Sequence, residues 1–163
     1  MTDEHPFGNE VGEWVDVVYA LRTFVIRGGQ PQSVVVHAGH WDDQGQCTAT
    51  CLAPTEEGVP PHEAPGEDCR CGIYGTFTLR TLRRPYGAQA RWIVAVIQCE
   101  GSGSRGPKGI RAARATVVAF WCPQPDKDDE DHEDDIALCL ERFPHARQYR
   151  SDLAMALAYR LGA

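Results

Sequence analysis

Residues 47–74 read CTATCLAPTEEGVPPHEAPGEDCRCGIY, and the reading of this stretch decides how the rest of the chain is understood. It holds four of the seven cysteines, Cys47, Cys51, Cys69 and Cys71, together with His62. Pro54, Pro60, Pro61 and Pro65 interrupt it, and it has little apolar material. A segment this poor in core residues needs something other than hydrophobic burial to hold one shape. A bound metal ion supplies it, because metal binding energy becomes folding energy where no site exists in the unfolded chain.

Zinc fits the donor types. It takes four ligands from Cys thiolate and His imidazole in a tetrahedron. Cys69 and Cys71 are two apart, so in extended chain both side chains point to one face. His62 lies seven residues upstream in a proline-rich loop, and Cys51 eleven further. The set Cys51, His62, Cys69 and Cys71 makes a closed site, structural in kind. Cys47 is the rival of Cys51; the two lie four apart, so both could bind if that piece is helical, with His62 then displaced. His37 and His40 are outside candidates. Cys99, Cys122 and Cys139 sit among apolar neighbours and read as buried thiols.

Several pieces of the chain resemble a group of small uncharacterised proteins of actinobacteria and their phages. They are LRTFVI, Ser33-Val34, Trp41, ATC at 49–51, PHEAP at 61–65, CRCGIYG at 69–75, GIRAARA at 109–115 and the closing LAMALAYRLG. The most specific is His62 through Tyr74, an H-x-A-P-x3-C-x-C-G-I-Y pattern. The resemblance implies that Cys51, His62, Cys69 and Cys71 belong together and that Cys47 is peripheral. It implies no activity. The loop GSGSRGPKG is longer than its counterpart in that group, and the acidic run at 126–135 is particular to this chain.

Outward from this stretch, the apolar pattern is mostly that of strands. RWIVAVIQCE, residues 91–100, is the clearest, with six apolar side chains in a row. CGIYGTFTLRTLRR predicts a strand over 73–83, and IRAARATVVAFWC another over 110–121. The glycine-rich GSGSRGPKG, residues 101–109, reads as a flexible hairpin loop between them. Arg22–Ile26 and residues 33–37 predict further strands, with RGGQPQ as a turn, and residues 13–20 fit strand or helix. PQPDKDDEDHEDD, residues 123–135, is an acidic connector leading into IALCLERF. Acidic residues ahead of an apolar run suit a helix start. Ser151 and Asp152 precede a second helix former, LAMALAYRLGA.

The expectation is a mainly β (α+β) domain over 13–163: an antiparallel meander or small barrel with one or two C-terminal helices and a structural zinc loop. Residues 1–12 read as a flexible terminus. No apolar run approaches the ~18 residues of a membrane span, and the acidic start lacks the form of a secretory signal. A cytoplasmic location follows as the expectation, in which reduced cysteines point to metal.

The net charge of −7 is unevenly spread: −9 over residues 1–75, +7 over 76–115 and −5 over 116–163. The basic middle third offers Arg80, Arg83, Arg84, Arg91, Arg105, Lys108, Arg111 and Arg114 as a partner-binding surface, with Tyr74, Phe77, Tyr86 and Trp92 interleaved. The alternative is solvated positions balanced by the acidic thirds. Catalytic motifs are missing: there is no G-x-S-x-G, no H-E-x-x-H and no phosphate-binding glycine loop. His62-Glu63 and Cys69-x-Cys71 each miss the deaminase spacing by one residue. The acidic run lacks the glycine of a calcium loop. The function expected is a non-enzymatic module recognising a protein or nucleic-acid partner. Two others stand beside it: a zinc enzyme acting on a nucleotide or base, and a nucleic-acid mimic or phage–host interaction protein working through the acidic segment. An oligomer scaffold without zinc is a last possibility.

Overall fold

The computed structural model describes residues 4–34, 40–51, 60, 62–85, 92–124 and 131–163. Strands dominate: β1 (Gly12–Glu13), β2 (Val18–Arg27), β3 (Gln30–Ser33), β4 (Gln46–Thr48), β5 (Ile73–Thr76), β6 (Ile93–Arg105), β7 (Gly109–Trp121) and β8 (Arg147–Gln148). Among the described residues three helices join them: α1 (Leu79–Arg83), α2 (Asp131–Arg142) and α3 (Asp152–Ala158). The mainly β expectation is met, with two helices at the C-terminal end.

Two long strands organise the sheet. β6 and β7 form an antiparallel hairpin paired from Val94↔Trp121 to Arg105↔Ile110. On its other edge β6 pairs with β2 over Val18↔Cys99 to Phe24↔Ile93. β7 pairs with β5, and β5 touches β2 at Leu21↔Thr76. The circuit β6–β2–β5–β7–β6 therefore closes on itself as a small barrel, which removes the exposed edges an open sheet would offer. β8 adds a parallel pairing to β7 at Ala119↔Arg147, so the sheet is mixed.

Alternation along the strands, reset by a bulge in β7 opposite Val96 and Ile97, sends side chains to two cores. Ala20, Phe24, Ile73, Ala95, Ile97, Ile110 and Val117 point inward, where Trp41 and Phe143 complete the filling. Leu21, Val94, Val96 and Ala119 point outward and are covered by Leu79 and Leu82 of α1 and Met155 and Ala156 of α3. Phe24, Phe120 and Phe143 are fully buried, each stabilising by about 1.5–3 kcal/mol. α3 starts where its sequence asks: the Ala154 N–H donates to Ser151 Oγ at 3.1 Å.

Several expectations need correction. The strand predicted over 73–83 stops at Thr76, and Leu79–Arg83 is helical. Thr78 caps that helix by accepting from the Thr81 N–H, and Leu79 and Leu82, three apart, share one buried face. Period-two parity through Phe77 and Leu79 concealed that spacing. Arg80, Arg83 and Arg84 thus ride on or just after α1, not on a hairpin. GSGSRGPKG is mostly strand, with β6 running to Arg105 and the turn confined to 106–108. Its glycines serve close approach: a Cβ on Gly103 would lie 2.2 Å from the Trp14 ring. Residues 13–20 contain no helix, and Gln30–Gln32 of the predicted turn are strand. The acidic stretch is helical from Asp131 onward, where Asp131, Glu133 and Asp134 occupy the first turn of α2. The predicted strand at 33–37 falls largely on residues outside those described, as do Arg91, Tyr86 and His37.

Residues 5–8, in the segment read as loose, lie along the β6–β7 turn. The Lys108 N–H donates to the Pro6 carbonyl at 2.9 Å, and Ser104 Oγ–H donates to the Phe7 carbonyl at 2.9 Å.

Candidate metal centre

The ends of two strands meet on one edge of β7 and bring the cysteine-rich stretch together. β4 pairs with residues 114–116 of β7, and the Ala49 N–H continues the ladder to the Ala113 carbonyl at 2.7 Å. β5 takes up the same edge one residue on, at Ile73↔Ala112. The chain thus leaves the sheet just before Cys51 and re-enters just after Cys71. Donors at both ends close the excursion at its base.

The donor atoms of Cys51, His62, Cys69 and Cys71 all lie within 4.8 Å of one another. Cys51 Sγ and Cys69 Sγ are 3.6 Å apart, and His62 Nε2 is 3.3 Å from Cys71 Sγ. A tetrahedron with metal–sulfur bonds of ~2.3 Å and a metal–nitrogen bond of ~2.0 Å has edges of roughly 3.5–3.8 Å. The four residues lie close enough to hold a metal ion, and all are half-buried.

The surroundings tune the donors. The Pro60 carbonyl can only accept, so at 3.1 Å it receives a hydrogen bond from the protonated His62 Nδ1. Nε2 is left with a lone pair facing the sulfurs, the arrangement in which histidine ligates metal. The Gly66 N–H donates to Cys71 Sγ at 3.3 Å. Desolvation pushes the Cys69 thiol up. Hydrogen bonds from the Cys71 amide and from the Cys51 and Cys71 side chains outweigh it and lower the thiol to about 7. Desolvation dominates at Cys71, which is raised to about 11. Such a split is what sulfurs sharing one site produce, because one thiolate opposes the next.

Backbone fit is close. A Cβ on Gly66 would lie 2.7 Å from His62 Cδ2 and Nε2, so the imidazole rests directly on the glycine. Gly72, at φ +125°, occupies the left-handed side that lets the chain turn from Cys71 into β5.

Sequence reasoning missed Arg111. It was read as part of a basic surface, but it is 3% exposed and faces the loop. Its Nη1 donates to the carbonyls of Gly66 and Cys71, each at 3.3 Å, and to that of Cys69. Its Nε donates to Ser104 Oγ at 3.0 Å. One guanidinium thus holds the loop that carries two of the sulfurs. The available signal was an arginine among small residues, Ala112, Ala113 and Ala115, in a strand too apolar in its later half to be surface.

Cys47 does not join the site. It lies in β4, paired with Ala115, with its side chain in the barrel interior, where burial pushes the thiol up to about 11. No helix spans Cys47 and Cys51, so the spacing of four has no shared face. His40 is exposed and outside the group.

The other basic candidates disperse. Arg83 forms a salt bridge with Asp152 and lies over the Trp121 ring. Arg105 sits over Phe77, 4.9 Å from the ring centroid. Arg80, Arg84, Lys108 and Arg114 are exposed. Among the described residues no helix is long and apolar enough to cross a membrane. Comparison with known proteins returns no matching family, no curated relative and no solved structure.

Proposed function

We propose that the chain is a non-enzymatic, zinc-stabilised binding module that recognises a macromolecular partner in the cell. One observation carries the reading: four side-chain donors, three sulfurs and one imidazole, lie within 4.8 Å of one another. Three thiolates and one imidazole favour zinc over calcium or magnesium, which take oxygen ligands. A full protein ligand set leaves no position for water or substrate, as in structural sites. Three thiolates around a divalent ion leave one negative charge, which the Arg111 guanidinium balances. The exposed cations Arg80, Arg84, Lys108 and Arg114 are the candidate contacts for a nucleic-acid or acidic protein partner.

Metal analysis of protein prepared without chelator tests this directly. One equivalent of zinc is expected, with X-ray absorption showing three sulfurs and one nitrogen. Less than a tenth of an equivalent would sink the reading. An oxygen donor in the first coordination sphere would turn it towards a zinc enzyme. Retardation of short oligonucleotides across a salt series then decides the partner class, because phosphate contacts weaken steeply with salt.

A further inference from the structure

A cavity of about 400 Å³ opens between the N-terminal segment, α1 and the β6–β7 turn. Phe7, Tyr74 and Leu82 give it apolar walls, and three threonines add hydroxyls. Its charged lining is of one sign. Arg22, Arg84 and Lys108 line it, and among the described residues no carboxylate does. This is notable in a chain with 23 acidic and 16 basic side chains.

The three cations differ in kind. Arg22 is 8% exposed, and its guanidinium is held in place. Nη1 donates to the Tyr74 carbonyl at 2.7 Å and Nη2 to Ser33 Oγ at 3.0 Å, with the Trp41 ring 5.8 Å away. It contributes a fixed positive charge behind the wall, where low dielectric extends its reach. Arg84 and Lys108 are exposed at the mouth, and neither has a salt-bridge partner among the described residues. Small-molecule sites are mostly apolar hollows of ~300–1,000 Å³ with a few polar groups that fix orientation. This cavity has that size, an apolar body and polar groups of a single charge.

We propose that this cavity binds a small organic anion: a flat apolar body of one or two rings carrying one carboxylate, phosphate or sulfonate. The rings lie against Phe7, Tyr74 and Leu82, and the anionic head faces Arg84 and Lys108. The site shares no donor with the metal loop, so it stands or falls independently of the zinc reading.

The test uses a matched pair of fluorescent probes with the full chain. One is anilinonaphthalene sulfonate, an aromatic anion. The other is the neutral N-phenyl-naphthylamine. The sulfonate is expected to bind one per chain, with transfer of magnetisation to the Leu82 methyls in solution NMR. The double variant Arg84→Gln/Lys108→Gln, both exposed sites, should keep its melting temperature and metal content. It should weaken the sulfonate at least tenfold while changing the neutral probe less than twofold. Three results would each overturn the proposal: no binding of the sulfonate, binding remote from Leu82, or equal losses for the two probes. Unchanged sulfonate affinity in the double variant would do the same.

Discussion

Cys69 and Cys99 are the same side chain placed in opposite surroundings. Cys99 is fully buried in the barrel, where desolvation pushes its thiol up to about 12 despite the opposing pull of Arg22. Cys69 stands half-buried among hydrogen-bond donors and is brought down to about 7. Cys139 extends the contrast. Its hydrogen bond with Cys122, 3.8 Å between sulfurs, and its burial both raise it far above the ordinary range. Two sulfurs near each other are therefore not enough to make a metal site. The Cys122–Cys139 pair has apolar neighbours and behaves as core. The loop cysteines stand beside an imidazole and an amide donor, close enough together to hold a metal ion.

The contrast can be broken most visibly by thiol reactivity. In chelator-treated protein that retains its near-UV circular dichroism, Cys69 should be alkylated first, with a rate that rises with pH through a midpoint near 7. At pH 7.5 it should outpace Cys99 by ~1,000-fold or more, since only the thiolate reacts. Peptide mapping after a short iodoacetamide pulse checks this. Equal labelling of Cys99 and Cys69 would erase the distinction.

Next in size is loss of a ligand. Cys71→Ser should abolish stoichiometric metal and remove about 3–4 kcal/mol, roughly 10 °C in melting temperature for a chain of this length. Calorimetry with and without added zinc reads it, and an unchanged melting point would leave the loop cysteines no different from those of the core.

Arg111→Lys sharpens the comparison at its second tier. An ammonium keeps the charge but cannot reach three carbonyls and Ser104 in one plane. A loss of about 2 kcal/mol is expected, along with faster release of metal to a chromophoric chelator. If lysine releases metal at the native rate, the guanidinium serves the fold and not the centre. Smallest is Cys139→Ala, which should cost about 1 kcal/mol for the atom removed from the core while leaving metal content at its native value. Loss of metal in this variant would contradict the assignment of Cys139 as packing.

Much of this was open to inspection in the chain. The donor types and their proline-rich setting marked the loop, because apolar residues are too few there for hydrophobic burial to anchor it. β-branched runs at 93–97 and 116–121 marked the central hairpin, since those residues favour pleated, buried positions. Ser151 marked the start of α3 through a hydroxyl that competes for the first amides.

What the sequence determined by itself was therefore local: which residue types could hold a metal, which segments extend and where a helix is capped. The choice of Cys51 over Cys47 was settled in tertiary structure, because it depends on which residue of β4 ends the ladder on β7 and which one faces the barrel. The inward turn of Arg111 was settled there too. A buried charge is stable only where its partners converge, and here they come from Gly66, Cys69, Cys71 and Ser104, which the chain brings together by closing a sheet. The cation-lined cavity has the same origin, drawing Arg22, Arg84 and Lys108 from three separate elements to one cavity. Charge spacing along the chain carries no record of that meeting, since the distances are set by strand register.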